Sequence, residues 1–318
     1  GVFKAWRRVM NGFIVENGGL QSSIQDAGRR GFSDIGLTQS GAMDELAFGY
    51  ANFLVGNPFN TAAIEIALGG ASFRAKSEIC IAICGANMQP TCNGHSIALW
   101  QTYQLRRGDV ISFGFANEGQ FTYIAVAGGF QTPFAYGSYS TSLKEGLGGI
   151  EGRKLKAGDI LPTLGARCPV DRRKLERKFI PKYTDTVTLR VVKGYQEAMF
   201  DAKAQETFFN STYTFKGEGD RMGYRLSGEK VIPSATGILS EPICYGAVQV
   251  PSHGEPIVLL KERQTIGGYP KIGSIIAVDC FKLAQLKAGG KVRFKEVSIE
   301  EAQRATKAFY AFFKEQEA

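Results

Sequence analysis

The chain has 318 residues, enough for two hydrophobic cores, and a net charge of +8. Its 44% hydrophobic and 21% charged content is that of an ordinary soluble protein. No run approaches the ~20 apolar residues of a membrane span, and the N-terminus lacks the roughly 7–15-residue apolar stretch of a signal peptide. The positive charge is local: Arg172, Arg173, Lys174, Arg177 and Lys178 form one stretch, and Lys4, Arg7 and Arg8 another. Neither has the interleaved aromatics of a single-strand binder, which argues against nucleic acid. An anionic small molecule, an acidic protein partner or a solvated basic face accounts for the charge equally well.

Met10 is read as the start, and residues 1–9 are left out of the fold argument. From about Phe13 to Pro162 the pattern is of short, glycine-punctuated strands, among them Ser72–Arg74, Ile79–Cys84, Val110–Phe115 and Phe121–Val126. Their β-branched and aromatic content with frequent turns points to a barrel or a sandwich. One helix interrupts them: Met43, Leu46, Ala47, Tyr50, Phe53 and Leu54 recur at three- and four-residue spacing, and Gly56-Asn57-Pro58 stops the pattern. A charged stretch between Arg167 and Lys182, flanked by Pro169 and Pro181, reads as a linker with room for one helical turn. The division is therefore residues 10–165, a linker at 166–183, and residues 184–318.

The second half opens with a strand at Thr186–Val192 and a helix through Gln196–Phe209. Strands follow around Gly237–Leu239, Gly246–Val250 and Ile257–Leu260. Asp44 and Asp279 are read as helix-start residues. The chain ends in an amphipathic helix opened by the capping box Ser298-x-x-Glu301, with Ala302, Ala305, Phe309 and Phe312 on one side. A turn of the type Leu105-Arg106-Arg107-Gly108-Asp109 recurs at Leu155–Asp159 and Leu286–Gly290, a faint echo between the halves.

Six cysteines without a CxxC pair read as reduced, mostly buried thiols, and alternation sends Cys80 and Cys84 to the same side of their strand. With His95 and His253 as the only histidines, both in turn-like contexts, no structural metal is expected and a Ser-His-Asp machine is disfavoured. There is no Walker A loop, HExxH, early dinucleotide fingerprint or GxSxG elbow.

What remains is a set of polar clusters. The most informative is Glu262-Arg263-Gln264-Thr265-Ile266-Gly267-Gly268-Tyr269-Pro270-Lys271, placed where the apolar run Ile257–Leu260 opens into a loop. Adjacent glycines let a ligand approach the backbone and its N–H groups. The others are Gln25–Arg29, Gln39–Asp44, Gly137–Thr141, Gly219–Arg225 and Ser240–Pro242.

In this order the clusters carry a resemblance. Ser23–Arg29, Ser40–Asp44, Leu54–Pro58, Ile64–Gly70, Val126–Gly129, Asp220–Leu226 and Arg263–Pro270 together resemble the biotin-dependent carboxyltransferase, or allophanate hydrolase subunit 2, family. Its stand-alone bacterial members act as the C subunit of 5-oxoprolinase. The resemblance implies a mainly β fold of two cyclophilin-like β-barrel subdomains. It also implies B-like and A-like subunits as partners, in a cytoplasmic complex that uses ATP to open 5-oxoproline. In urea amidolyases the same region transfers a carboxyl group from biotin to urea, and the absence of a Met-Lys-Met attachment sequence here favours the stand-alone reading. The family's Gly-Ser-Arg-Ser-Thr has Tyr139 in third place, so the missing charge is expected from Arg153 or Arg221, whereas its Tyr-Pro-Arg has Lys271, which keeps the charge but loses the two-point geometry.

On this reading Arg221 or Arg263 binds a carboxylate or phosphate. Gln264 and Thr265, with N–H groups near Gly267 and Gly268, stabilise an oxyanion or a biotin ureido oxygen. Glu241 or Asp220 serves as a base, and Tyr269, Lys271, Ser138 and Ser140 complete the substrate site. Structural rivals exist: Asp220–Arg221 as an ion pair, and Glu241 before Pro242 as a turn. Three functions compete. They are the C subunit of 5-oxoprolinase, a biotin-dependent carboxyltransferase with a urea-like acceptor, and a non-catalytic antagonist of a kinase inhibitor that resembles the B subunit.

Overall fold

A computed structural model describes residues 11–165, 168–169 and 173–317. Met10, Arg167, Arg172 and the basic N-terminal residues lie outside the described residues. Contacts divide the chain into two units: residues 1–29, 45–182 and 316–318, and residues 30–44 and 183–315. Segment 30–44, which the sequence places in its first subdomain, thus groups with the second unit.

The first unit contains strands β1 (Gly12–Gly18), β2 (Gln21–Gln25), β3 (Ala63–Ala67), β4 (Ala71–Ala75), β5 (Ile79–Asn87), β6 (Thr91–Cys92), β7 (His95–Ser96), β8 (Gln101–Leu105), β9 (Val110–Ser112), β10 (Glu118–Val126) and β11 (Ile160–Pro162). They form a six-stranded sheet, β11-β1-β4-β9-β6-β7, and a five-stranded sheet, β2-β3-β10-β5-β8. Phe13, Phe73, Ile64, Ile81, Ile83 and Ile124 fill the shared core. Burying each such side chain contributes about 1.5–3 kcal/mol. β5 is buried along all but its last residue because both faces are covered. Ile79, Ile81 and Ile83 face the core, and helix α1 (Glu45–Leu54) packs on β5 and β10. Gly56, in the left-handed region at φ 76°, ends that helix as expected.

One expectation fails here. Cys80 is joined to Cys168 in a disulfide across 88 residues of sequence, so it is not a reduced thiol. Cys84 and Cys280 are free and buried, and Cys92 and Cys244 are free and at least partly exposed. The chain from Arg173 to Lys182 also packs on the first unit. Thr102 N–H donates to the Arg173 carbonyl at 2.9 Å, Leu175 is buried, and Arg177–Phe179 supplies the single helical turn.

The second unit is a closed barrel of strands β12 (Thr186–Lys193), β13 (Tyr213–Gly219), β14 (Gly223–Ser227), β16 (Ala247–Gln249), β17 (Ile257–Leu259), β19 (Lys271–Ile275) and β20 (Lys291–Glu296). A separate ribbon pairs β15 (Glu241–Pro242) with β18 (Ile266–Gly267). The barrel closes through parallel pairing of β12 with β20, Thr186 opposite Lys291 through Val191 opposite Glu296. Its other pairs are antiparallel.

The helix expected over Gln196–Phe209 is broken into a 3-10 turn, Glu197–Met199, and α2 (Ala202–Asn210). Asp201 causes the break by capping α2, its carboxylate accepting from Ala204 N–H at 2.7 Å. Phe208 of α2 stacks on Phe294 with centroids 4.2 Å apart. Gly237–Leu239 is not a strand: Leu239 is 92% exposed, Ile238 N–H makes an isolated bond to the Gly268 carbonyl at 2.8 Å, and the paired ladder begins at Glu241. α3 (Ala277–Ala284) begins before Asp279, whose carboxylate binds Arg190 and Lys282 rather than the helix end. α4 (Ile299–Glu317) keeps its expected cap, Glu301 N–H to Ser298 Oγ at 3.2 Å, and Phe309 packs on Phe281.

The repeated turn is real in geometry. Gly108, Gly158 and Gly289 all have φ between 89° and 95°, and each precedes a strand, β9, β11 or β20. Among the described residues no helix is long and apolar enough to cross a membrane.

Candidate functional site around the two-stranded ribbon

Glu241 faces Gly267 and Pro242 faces Ile266 in the β15–β18 ribbon, and Ile243 N–H extends it by donating to the Thr265 carbonyl at 3.0 Å. The ribbon therefore fixes Arg263, Gln264 and Thr265 beside Glu241.

Arg263 is held by neutral acceptors. Its Nε donates to the Ile243 carbonyl at 3.1 Å, and its Nη1 donates to Gln39 Oε1 and the Leu260 carbonyl, both at 3.2 Å. Its guanidinium also lies 5.8 Å from the Tyr245 ring centroid. Among the described residues it has no carboxylate partner, and burial pulls its pKa below the ordinary value. A fixed, partly desolvated cation without a counter-ion favours an incoming anion, with a charge-assisted hydrogen bond contributing about 1.5–3 kcal/mol. The half-buried side chains of Gln264 and Thr265 make no hydrogen bonds to described residues, so their donors remain available.

Glu241 belongs to a network. Its carboxylate accepts from Gln196 Nε2 at 2.8 Å and forms an ion pair with the Lys271 ammonium, while Gln196 Oε1 accepts from Lys271 N–H at 2.9 Å. Burial pushes the Glu241 carboxyl up, but Lys271, Tyr195 and Gln196 outweigh it and hold the pKa below the ordinary value. Glu241 is thus a persistent anion and a weak base. Lys271 is spent on it.

The other candidates are occupied. Arg221 is buried, donating from Nε to Glu262 Oε1 and from Nη2 to the Gly41 carbonyl, each at 2.6 Å. Ser40 Oγ donates to the same Glu262 oxygen at 3.2 Å. The Asp220–Arg221 ion pair, the structural rival to a chemical role, is absent among the described residues, because exposed Asp220 accepts from Met222 N–H at 2.7 Å to close its own turn. Arg153 makes a two-point contact with Asp159, at 2.8 and 2.9 Å. Neither Arg153 nor Arg221 is therefore a free substitute for the family's missing arginine.

Ser138 and Ser140 lie in the first unit. Their hydroxyls donate to Asp26 Oδ1 at 2.7 and 2.6 Å, Gly28 N–H reaches the same oxygen at 2.8 Å, and Tyr139 N–H reaches Oδ2 at 2.7 Å. Asp26 is wholly buried, so this loop satisfies a carboxylate that would otherwise be costly to bury. The Tyr139 ring packs 4.8 Å from Phe134.

The structure thus places Glu241 and Gly267 in the ribbon, Arg263, Gln264, Thr265 and Gly268 next to it in sequence, and Lys271, the first residue of β19, in an ion pair with Glu241, with Tyr269 44% exposed. Sequence reasoning missed Gln196, Gln249, Tyr245 and Lys261. Lys261 is 1% exposed, with its ammonium 4.5 Å from the Tyr245 ring centroid. A lysine and a glutamine inside apolar strand patterns were the available signals. The site can bind an anion and polarise a carbonyl oxygen with neutral donors.

A family model described as carboxyltransferase domain, subdomain A and B, matches residues 35–296. The chain is 35% identical over 299 residues to the 5-oxoprolinase C subunit of Escherichia coli (strain K12), covering 93% of this chain and 95% of that protein. It is 30% identical over 307 residues to urea amidolyase of Saccharomyces cerevisiae (strain ATCC 204508 / S288c), covering 90% of this chain but 16% of that protein. The crystal structure of the K. lactis urea amidolyase matches with a TM-score of 0.91 and 25% identity, over 99% of this chain and 20% of that one. Relative to the urea amidolyases, then, the chain spans only a fifth or less of their length. The chain belongs to the carboxyltransferase domain, subdomain A and B, family.

Proposed function

We propose that this chain is the C subunit of an ATP-dependent 5-oxoprolinase, working with B-like and A-like subunits to open 5-oxo-L-proline to L-glutamate. The observation that carries the reading is Arg263, a cation whose partners among the described residues are all neutral, set beside donors of Gln264 and Thr265 that no described residue engages. The 35% identity over 95% of the E. coli protein's length supports it.

A lactam carbonyl resists water, and ATP makes it a better electrophile by phosphorylating the carbonyl oxygen. In that scheme Arg263 holds the substrate carboxylate or the transferred phosphate. Gln264 and Thr265 donate to the oxygen on which negative charge builds. Glu241, kept ionised by Lys271, orients the attacking water. The test is ATP-dependent glutamate release from 5-oxoproline with each component omitted in turn. Release that needs this chain supports the proposal, and release that persists without it refutes it.

A second reading has its own support in the 30% identity to yeast urea amidolyase. Biotin would supply a carrier for a carboxyl group, and the free Gln264 and Thr265 donors fit its ureido oxygen. Transfer of a carboxyl group from biotin to a urea-like acceptor by a complex inactive on 5-oxoproline would favour this reading.

A further inference from the structure

Gln249, the last residue of β16, is 1% exposed, and its Nε2 is buried without a hydrogen-bond partner. Among the described residues none donates to its Oε1 either. Burying an amide unpaired costs about 1–3 kcal/mol, and folded proteins keep few such groups without a use for them.

The surroundings indicate a use. Gln249 stands opposite Lys271 in the β16–β19 register, and Lys271 carries the ion pair to Glu241. A methyl group on Gly267 would come within 2.7 Å of Gln249 Nε2, 2.5 Å of Ile243 Cδ1 and 3.5 Å of Gln264 Nε2. Two carboxamides therefore flank the bare face of Gly267, where no side chain stands between them.

A carboxamide presents one donor and one acceptor side by side. Its complement is an amide whose N–H and C=O lie on the same edge. Open-chain peptide amides are trans and place these groups on opposite edges. Small-ring amides and cyclic ureas are locked cis and present both together, so they pair with a carboxamide through two parallel hydrogen bonds.

We infer that Gln249 is a specificity-determining residue that recognises the cis-amide edge of a small cyclic amide or cyclic urea. This rests on the reading of the ribbon as the 5-oxoproline site, and it names the part of the ligand that the cation at Arg263 does not address. Nε2 lies against Gly267 of the β15–β18 ribbon. That ribbon pairs Glu241 with Gly267 and Pro242 with Ile266, is extended by Ile243 N–H to the Thr265 carbonyl at 3.0 Å and Ile238 N–H to the Gly268 carbonyl at 2.8 Å, and carries the exposed Ile266. Because Nε2 is buried, ligand binding requires the ribbon to give way at Gly267.

The test is Gln249→Met, which keeps the length of the side chain and removes its polar atoms. If Gln249 serves a ligand, the variant melts at or above the wild-type temperature, because an unpaired buried amide has been removed. In the assembled complex its KM for 5-oxoproline rises roughly tenfold or more, with kcat changed less. Wild type should also bind 5-oxoproline in preference to its N-methyl analogue, which cannot donate, and the variant should lose that preference. A lower melting temperature with unchanged KM, or undiminished discrimination, would overturn the inference. If wild-type complex releases no glutamate, the proposed function falls, and calorimetric titration of the full chain with 5-oxoproline and with biotin decides the inference separately. Binding of either that weakens at least tenfold in Gln249→Met supports it, whereas equal binding, or no binding of either to wild type, overturns it.

Discussion

Arg221 and Glu262 form a buried ion pair, Nε to Oε1 at 2.6 Å, while Arg263, the next residue after Glu262, has only neutral partners among the described residues. Two arginines of similar appearance in the sequence thus have opposite duties. Removing one partner of a buried pair strands a charge and costs about 3–5 kcal/mol. Arg221→Ala should therefore lower the denaturant midpoint strongly, and Arg263→Ala should lower it far less. Parallel urea titrations of the two variants check this.

Gly267 is required by space rather than by backbone conformation. A Cβ there meets Ile243 Cδ1 at 2.5 Å and Gln249 Nε2 at 2.7 Å, both at the free ends of side chains that can shift. Gly267→Ala should cost about 1–3 kcal/mol in stability. Its effect on substrate KM should be larger than that loss suggests, because the displaced group is the Gln249 amide. Thermal melts and steady-state kinetics on the same preparation separate the two effects.

Asp279 supplies an acid-sensitive lock in the barrel. Burial pushes its carboxyl up, but hydrogen bonds from the Arg190 side chain, Lys282 and the Arg190 backbone overcome this and hold the pKa below the ordinary 3.8. A folded-state pKa below the unfolded one gives stability that is fully present above the unfolded value. It is lost as pH falls through the folded value. Wild type should therefore lose stability below about pH 4, and Asp279→Asn, less stable at neutral pH, should show a flatter decline. Denaturant midpoints measured from about pH 6 to 2 test the difference in slope.

The Cys80–Cys168 disulfide closes a loop of 88 residues within the first unit. Closing a loop of that size stabilises by about 4–5 kcal/mol through the unfolded chain. Reductant should lower the melting temperature of wild type and leave Cys168→Ser unaffected. Equal responses would show that the bond does not contribute.

Elements whose signals are local were legible in the sequence. The spacing of Leu46, Ala47, Tyr50, Phe53 and Leu54 with a stop at Gly56 gives α1, and Ser298 with Glu301 gives the start of α4. Features that depend on distant partners were not. Cys80 and Cys168 lie too far apart for spacing to suggest a bond, and Ser138 and Ser140 resemble a ligand loop until Asp26 is seen to accept from both. Gln249 hides at the end of an apolar strand, where its lack of a partner is visible only in three dimensions. The charge of Arg153 suggested an anion site that Asp159 already fills.

The central claim is that Arg263 is the anion-binding cation of a 5-oxoproline-opening complex, and the most direct test is glutamate release by the assembled complex carrying Arg263→Ala. With assembly preserved, kcat/KM should fall at least tenfold, in line with loss of a charge-assisted hydrogen bond of about 1.5–3 kcal/mol. Unchanged kcat/KM in an intact complex would contradict the account.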